Sequence, residues 1–131
     1  RIKALVADSP YADGAELIVN EVDVRTDVPR WIIPLFVPGS KLVADTLFGV
    51  DIGKLTPEAA ASRIQYPILV FHGEADTRIP PEHGKRVQEA AHPDSEYWLV
   101  PGQEHVDAFA ALPDEYEERV AQYFEERLGG R

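Results

Sequence analysis

The chain of 131 residues contains no cysteine and no methionine. The absence of cysteine excludes disulfide bonds, thiolate catalysis and cysteine-ligated metal sites, and it favours the cytoplasm without settling the compartment. No apolar run approaches the roughly 20 residues of a membrane-spanning helix. Because the sequence starts at Arg1 and enters an apolar run at once, we expect it to be a piece cut from a longer protein.

Positive charge is also scarce, with 13 Lys and Arg against 23 Asp and Glu and a formal net charge of −10. An acidic surface repels nucleic acid and anionic membranes, so neither is expected as a partner. The acidic surplus lies largely near the C-terminus and indicates a solvated helix face. No glycine-rich phosphate loop follows an apolar run. No nucleotide or other cofactor is therefore expected.

The remaining composition is that of an ordinary globular domain, 44% hydrophobic and 27% charged, and the length fits one domain, residues 1–131. Continuous apolar runs typical of strands covered on both faces occupy residues 4–7, 68–71 and 97–100. Helical patterns occupy residues 12–22, 81–91 and 113–128. This alternation predicts an α/β fold whose three parallel strands are flanked by helices.

Start and stop residues refine two of these helices. The last one is expected to begin at Pro113 and to end at Gly129 and Gly130. In residues 81–91, Val87, Ala90 and Ala91 are expected on one side of the helix. His83 and His92 are expected to be surface positions on or beyond this helix.

The segment 23–65 is too long for a strand-to-helix connection, which usually has about 2 to 6 residues. It is expected to form short helices at residues 31–37, 41–48 and 58–64. Ser40 is the expected N-cap of the second, which Gly49 ends, and Thr56 with Pro57 is expected to start the third.

This segment is rich in large apolar residues, and two interpretations of it stay open. It is either a cap or lid over the C-terminal edge of the sheet or a helical patch packed on that sheet. On the first interpretation, Trp31, Phe36 and Phe48 are candidate substrate-binding residues.

Polar loops follow the second and third predicted strands. The stretch FHGEADTRIPPEHG places Asp76 after the second strand, and PGQEH places His105 after the third. Because parallel strands end at one edge of a sheet, we expect these two side chains to come within hydrogen-bonding reach. A carboxylate on one imidazole nitrogen fixes the tautomer and leaves the other nitrogen as a base.

These two stretches resemble the C-terminal half of an α/β-hydrolase, most closely the bacterial esterase and prolyl-oligopeptidase-like branch. In that fold the triad follows the order Ser, Asp or Glu, then His. The resemblance implies that Asp76 is the acid after the seventh strand and that His105 is the base after the eighth. It also implies that residues 2–8 are the sixth strand and that residues 23–65 occupy the place of the cap.

The sequence departs from this family in one respect, because it contains no Gly-x-Ser-x-Gly. Ser9 is not a substitute, since it lacks the flanking glycines and Pro10 removes a backbone N–H. We therefore expect the chain to be the C-terminal part of a serine hydrolase that acts on carboxylic esters, with a peptidase or amidase of the prolyl-oligopeptidase type as the alternative. The chain alone is expected to be inactive. An N-terminal half or a second copy of the chain is the expected partner.

Two hypotheses of other kinds remain. A non-catalytic α/β module would bind a partner through the unpaired edge of its first strand. A metal site would draw on the carboxylates and imidazoles of the two loops, although no known zinc spacing is present and no metal is expected. Taken singly, His72 is expected to be structural and Glu74 to point away from Asp76. The residues considered for a metal are His72, Glu74, Asp76, His105 and Asp107.

Overall fold

The computed structural model describes residues 2–129, so that Gly130, predicted to end the last helix, lies outside the described residues together with Arg1 and Arg131. In chain order the elements are β1 (Leu5–Asp8), α1 (Gly14–Arg25), α2 (Val37–Phe48), α3 (Pro57–Ala61), β2 (Ile68–Gly73), α4 (Pro81–Ala90), β3 (Glu96–Val100), α5 (Ala108–Ala111) and α6 (Pro113–Leu128). Two short 3₁₀ turns, Ile33–Leu35 and Ile52–Lys54, flank α2. No helix in this described range has the length and apolar character needed to cross a membrane.

The three strands form one parallel sheet in the order β1-β2-β3. In its register Val70 lies opposite Ala7 on one side and Tyr97 on the other. Every residue of β2 is buried, as expected for a strand covered by helices on both faces. The predicted α/β class, with three parallel strands flanked by helices, is confirmed.

Successive residues of β2 point to opposite faces of the sheet and nucleate two cores. On one face Val70 packs with Ala12 and Val87. On the other face Phe71 and Leu69 pack against Tyr123 of α6. Burying one such side chain contributes about 1.5 to 3 kcal/mol, so both helical layers are held on the sheet through β2.

One arginine joins three helices around the base of the long insertion. Arg86 of α4 donates to Glu16 of α1, with Nη1 at 2.6 Å from Oε2, and also to Glu58 of α3. These hydrogen bonds raise the pKa of Arg86 above its ordinary value, and the bond with Glu16 has the largest effect. Helix α1, which leads into the insertion, and α3, which lies near its end, are therefore both attached to the sheet-packed α4.

The insertion forms helices whose boundaries differ from the predicted ones. Helix α1 continues to Arg25, so the predicted boundary at residue 23 falls inside it. Helix α2 begins at Val37 with a proline in its first turn, and Ser40 lies inside the helix with its hydroxyl donating to the Phe36 carbonyl at 3.2 Å. The prediction of Ser40 as N-cap is wrong, whereas Gly49 ends α2 in the left-handed conformation at φ 65°.

The third predicted helix is shorter than expected. Helix α3 ends at Ala61, and Thr56 makes no side-chain cap to it. In place of the predicted helix at residues 31–37, the chain forms the 3₁₀ turn Ile33–Leu35 before α2 begins at Val37, and Ile33, which is 1% exposed, anchors the segment. Helix α2 has no buried residue and packs on α1 and the two 3₁₀ turns, so the patch interpretation of packing on the sheet does not describe α2.

The prediction that His83 lies on the surface is wrong. His83 is 7% exposed, and its Nδ1 accepts a hydrogen bond from the Ala12 amide at 3.2 Å. Burial is the main cause that lowers the pKa of His83 below its ordinary value of 6.5, and Glu16 opposes this shift. The neutral ring thus serves the packing of α4 against the start of α1.

This burial predicts a pH dependence of stability. Between the lowered pKa of folded His83 and about pH 6.5, the unfolded chain binds a proton at His83 more fully than the folded chain does, so the free energy of unfolding falls as the pH decreases through this window. Above this window the contribution is fully present. Urea denaturation at several pH values should show this fall, and His83→Asn, whose Oδ1 can replace Nδ1 as acceptor of the Ala12 amide but does not titrate, should reduce it. An unchanged slope in the variant would contradict the assignment.

Candidate active site

The loops that follow β2 and β3 bring a carboxylate and an imidazole together. His105 Nδ1 lies 2.8 Å from Asp76 Oδ2. The contact arises because β2 and β3 are parallel neighbours, so that their C-terminal ends open at one edge of the sheet. The structure thus joins the two loops as the strand order predicts, and the catalytic role of the two residues stays a prediction.

Asp76 is buried, with 3% exposure, and its carboxylate is held at both oxygens. Oδ1 accepts the backbone amides of Arg78 at 3.0 Å and Ile79 at 2.8 Å. Oδ2 faces His105 and lies 3.4 Å from His72 Nε2. Two amides on one oxygen fix the carboxyl plane, so that the other oxygen is directed at the imidazole.

The geometry defines the tautomer of His105. A carboxylate only accepts hydrogen bonds, so Nδ1 carries the proton and Nε2 bears the lone pair. A quarter of the His105 side chain is exposed, and Nε2 has no hydrogen-bond partner in the range 2–129. An oriented imidazole with a free nitrogen at an accessible edge is the arrangement of a general base.

His72 lies beneath this pair and has a structural place, as expected. The side chain is 0% exposed, and Nε2 donates to the Ile79 carbonyl at 2.8 Å. Its Nδ1 is buried against Gly84 and finds no hydrogen-bond partner in the described part of the chain. His72 therefore supports the loop that carries Asp76 from below.

The two loops are packed backbone against backbone. The Ala75 amide donates to the Gln103 carbonyl at 2.9 Å, and the Gly73 Cα faces the carbonyls of Gln103 and Glu104, with no room for a Cβ. Glu74 accepts from the Gly102 amide at 3.0 Å, so its carboxylate is held on the loop that follows β3. The expectation that it points away from Asp76 stays a prediction.

Ser9 lies at the end of β1 in a left-handed conformation that is uncommon for a residue other than glycine, at φ 46°. It is 4% exposed, and its hydroxyl donates to Asp8 at 3.1 Å and accepts the Val106 amide at 3.3 Å. Val106 also has a positive φ, 60°. Ser9 thus supports the backbone beside His105, a role that the sequence did not suggest.

The candidate cap residues are all strongly exposed, Trp31 at 77%, Phe36 at 62% and Phe48 at 73%. Phe36 and Phe48 line one open apolar depression together with Leu35 and Val43, and Trp31 lies outside it. The residues that line this depression do not include Asp76 or His105. The substrate-binding role of the three aromatic residues stays a prediction.

The carboxylates and imidazoles of the two loops do not form a metal-ligand set. In residues 2–129 no three His, Asp or Glu side chains are grouped so that they could hold one metal ion. Asp107 precedes α5 and makes no side-chain cap to it.

The sequence analysis did not predict the two backbone amides that bind Asp76, nor the residue that binds the carbonyls of the same two peptide units. Asn20 of α1 donates to the Thr77 carbonyl at 3.3 Å and to the Arg78 carbonyl at 2.7 Å. A signal for the first existed, because an aspartate often accepts amides two and three residues later in a turn. No sequence signal pointed to Asn20, because Thr77 and Arg78 follow it by 57 and 58 positions along the chain.

No family model matches the chain. Among curated proteins it is similar to the uncharacterized protein YfhR of Escherichia coli K12, with 28% identity over 123 residues that cover 93% of this chain and 36% of that protein. YfhR of Salmonella typhi is 27% identical over 104 residues, which cover 79% and 34%. The chain thus spans about a third of the length of these relatives.

Solved structures match nearly the whole chain. The Pyrococcus furiosus esterase Pf2001 superposes with a TM-score of 0.64 at 21% identity, over 97% of this chain and 45% of that one. MGS-MChE2, an alpha/beta hydrolase enzyme from a lagoon-sediment metagenome, gives 0.58 at 21% identity, over 95% and 51%. The Pyrococcus horikoshii acylaminoacyl peptidase gives 0.60 at 16%, over 99% and 21%. At these identities the similarity concerns the fold.

Proposed function

We propose that this chain, which has the fold of the C-terminal part of an α/β-hydrolase, supplies the acid and the base of a serine hydrolase acting on carboxylic esters. The observation that carries the proposal is the 2.8 Å contact between Asp76 Oδ2 and His105 Nδ1 at the C-terminal edge of a parallel sheet. The hydrolase class of the similar structures supports it.

In the proposed reaction a serine hydroxyl attacks the ester carbonyl while His105 Nε2 takes its proton. His105 then gives this proton to the departing alkoxide, so that an alcohol leaves and an acyl-enzyme remains. A water molecule then attacks the acyl-enzyme while His105 takes its proton. His105 returns this proton to the serine oxygen as the carboxylic acid leaves. Asp76 stays ionised throughout, holds Nδ1–H and stabilises the imidazolium that forms in each step.

The nucleophile is part of the proposal rather than of these residues. The sequence has no Gly-x-Ser-x-Gly, and Ser9 is buried with its hydroxyl engaged by Asp8 and Val106. The serine and the oxyanion donors are therefore proposed to come from polypeptide other than residues 1–131. An N-terminal half is the first candidate, and its strand would pair with the free edge of β1.

Two alternatives have support of their own. An amide substrate is the first, because a similar solved structure is an acylaminoacyl peptidase. The second is a non-catalytic module that binds a partner or a second copy through β1, which is an edge strand of the sheet. On this alternative, the Asp76 and His105 pair would only staple two loops.

The 131-residue chain alone should not turn over a chromogenic short-chain ester, because Ser9, the serine that supports the backbone beside His105, has its hydroxyl engaged by Asp8 and Val106. A polypeptide that carries the chain together with a Gly-x-Ser-x-Gly segment should turn it over and should be labelled by a fluorophosphonate probe. An aminoacyl anilide in the same assay separates esterase from amidase. The non-catalytic alternative would be favoured if both activities are absent and light scattering shows that the 131-residue chain associates with a partner or a second copy.

A matched variant protects the conclusion about the nucleophile. If the isolated chain is active and Ser9→Ala removes the activity, Ser9 is the nucleophile and the proposal of an external serine fails. If the isolated chain is inactive and the longer polypeptide is active, the proposal holds.

A further inference from the structure

The peptide units that hold Asp76 are themselves held from the opposite side. The amide of Arg78 belongs to the same peptide unit as the Thr77 carbonyl, and the amide of Ile79 belongs to that of the Arg78 carbonyl. In a trans peptide the N–H and the C=O point in opposite directions, and the described residues contain no cis peptide bond. Each unit thus offers its N–H to Asp76 and its carbonyl to helix α1.

One side chain meets both carbonyls. The two hydrogens of Asn20 Nδ2 reach the Thr77 oxygen at 3.3 Å and the Arg78 oxygen at 2.7 Å. The N–H groups of the same two units reach Asp76 Oδ1 at 3.0 and 2.8 Å. A continuous series of hydrogen bonds therefore connects Asn20, two peptide units, Asp76 and His105.

Such a series couples its members in two ways. Geometrically, it fixes the planes of two peptide units, and thereby the carboxyl plane that directs Oδ2 at His105. Electrostatically, a carbonyl that accepts a hydrogen bond polarises its own N–H into a better donor, by an order of 10–30% per bond. Both effects act on Asp76 without contact between Asn20 and Asp76.

From this geometry we propose that Asn20 is the positioning residue of the acid, acting through the 77–78 and 78–79 peptide units on the direction of Asp76 toward His105. The inference rests on the proposed function only for its catalytic consequence. The structural part concerns the 131-residue chain itself and can be tested without a nucleophile.

A neighbouring contact also attaches α1, the helix that carries Asn20, to the turn that follows Asp76. Glu21 Oε1 accepts Arg78 Nε at 3.0 Å, which attaches the next residue of the helix to the same turn. Burial acts to raise the pKa of Glu21, but hydrogen bonds from Arg78 and Arg25 outweigh it and hold the pKa below its ordinary value. Glu21 therefore adds an ion pair at the rim, where exposed pairs contribute little, and the uncharged Asn20 makes the contact to the peptide units.

The test follows the His105 Nδ1 proton by NMR in the isolated chain. Asn20→Leu keeps the side-chain shape and removes both donors, and Asn20→Ala serves as a second variant with high helix propensity. We expect the Nδ1 proton to exchange with water about threefold to tenfold faster in both variants. This is the factor that corresponds to weakening the hydrogen bond between His105 and Asp76 by the net free energy of one hydrogen bond. In a longer polypeptide with a nucleophile, kcat should fall about tenfold with KM unchanged.

Gln88→Met is the matched control. Gln88 Nε2 donates to the Ser95 carbonyl at 2.8 Å, so the control removes the same kind of bond before β3, at the strand end remote from His105. Faster proton exchange in the Asn20 variants and not in Gln88→Met supports the inference. Unchanged exchange in the Asn20 variants, or equal acceleration in Gln88→Met, would overturn it. Failure of the proposed function instead shows as absence of turnover in the unmutated longer polypeptide, whatever the proton does.

Discussion

Replacing Asp76 with asparagine should lower ester turnover by about 10⁴-fold in a polypeptide that carries the chain together with its nucleophile. In the serine protease taken as a template, the same change costs about this factor because the imidazole adopts the wrong tautomer. Here the amide would offer N–H groups to His105 Nδ1, which now lies 2.8 Å from a carboxylate oxygen. His105→Ala should have at least as large an effect, because it removes the base.

Steady-state kinetics with a chromogenic ester measures this loss, and circular dichroism checks that the fold is retained. His92→Ala is the matched control, because His92 precedes β3 and its side chain makes one hydrogen bond among the described residues, accepting the Asp94 amide at 3.2 Å. Near-normal turnover in Asp76→Asn and His105→Ala would refute the assignment of acid and base.

Gly73→Ala should destabilise the chain by about 3 kcal/mol, at the upper end of the cost of overpacking. The added Cβ would meet the carbonyl oxygens of Gln103 and Glu104, which are backbone atoms and cannot rotate away. To admit it, the loop that carries His105 must move off the end of β2. The same substitution should therefore also weaken the contact between Asp76 and His105.

The measurement is urea denaturation of the 131-residue chain, with Gly39→Ala as control. Gly39 lies within α2, and a Cβ there meets nothing within 4 Å. Alanine should stabilise the helix at that position by about 0.5 to 1 kcal/mol, so the two substitutions are expected to have opposite signs. Equal stability of the Gly73→Ala variant and the unmutated chain would show that the two loops are not packed as described.

The parts of the fold that the sequence predicted are those governed by local patterns. Continuous apolar runs identified all three strands, and β2 is the one that is buried along its whole length, as a strand covered on both faces should be. Once these strands were parallel, the meeting of the loops that carry Asp76 and His105 followed from topology. Gly49, which ends α2 in a left-handed conformation, was predicted for a similarly local reason.

The errors arose where a longer-range contact or an overlooked local alternative decided the outcome. Ser40 was expected to cap a helix, but the proline in the first turn of α2 begins the helix earlier. His83 lies four residues before Val87 and so shares its buried helix face, a spacing that should have predicted burial. Asn20 was beyond reach, because nothing local relates it to Thr77 and Arg78.

The contact of Arg86 with Glu16 and Glu58 has an engineering consequence. It joins α1 to α3 at one point, so we expect that the residues between Thr26 and Leu55 can be exchanged as a cassette, provided that Leu55, whose carbonyl accepts the Gly14 amide at 2.7 Å, is kept. A grafted cassette of different length would inherit the same anchorage, provided that Asn20 and the rest of α1 are kept.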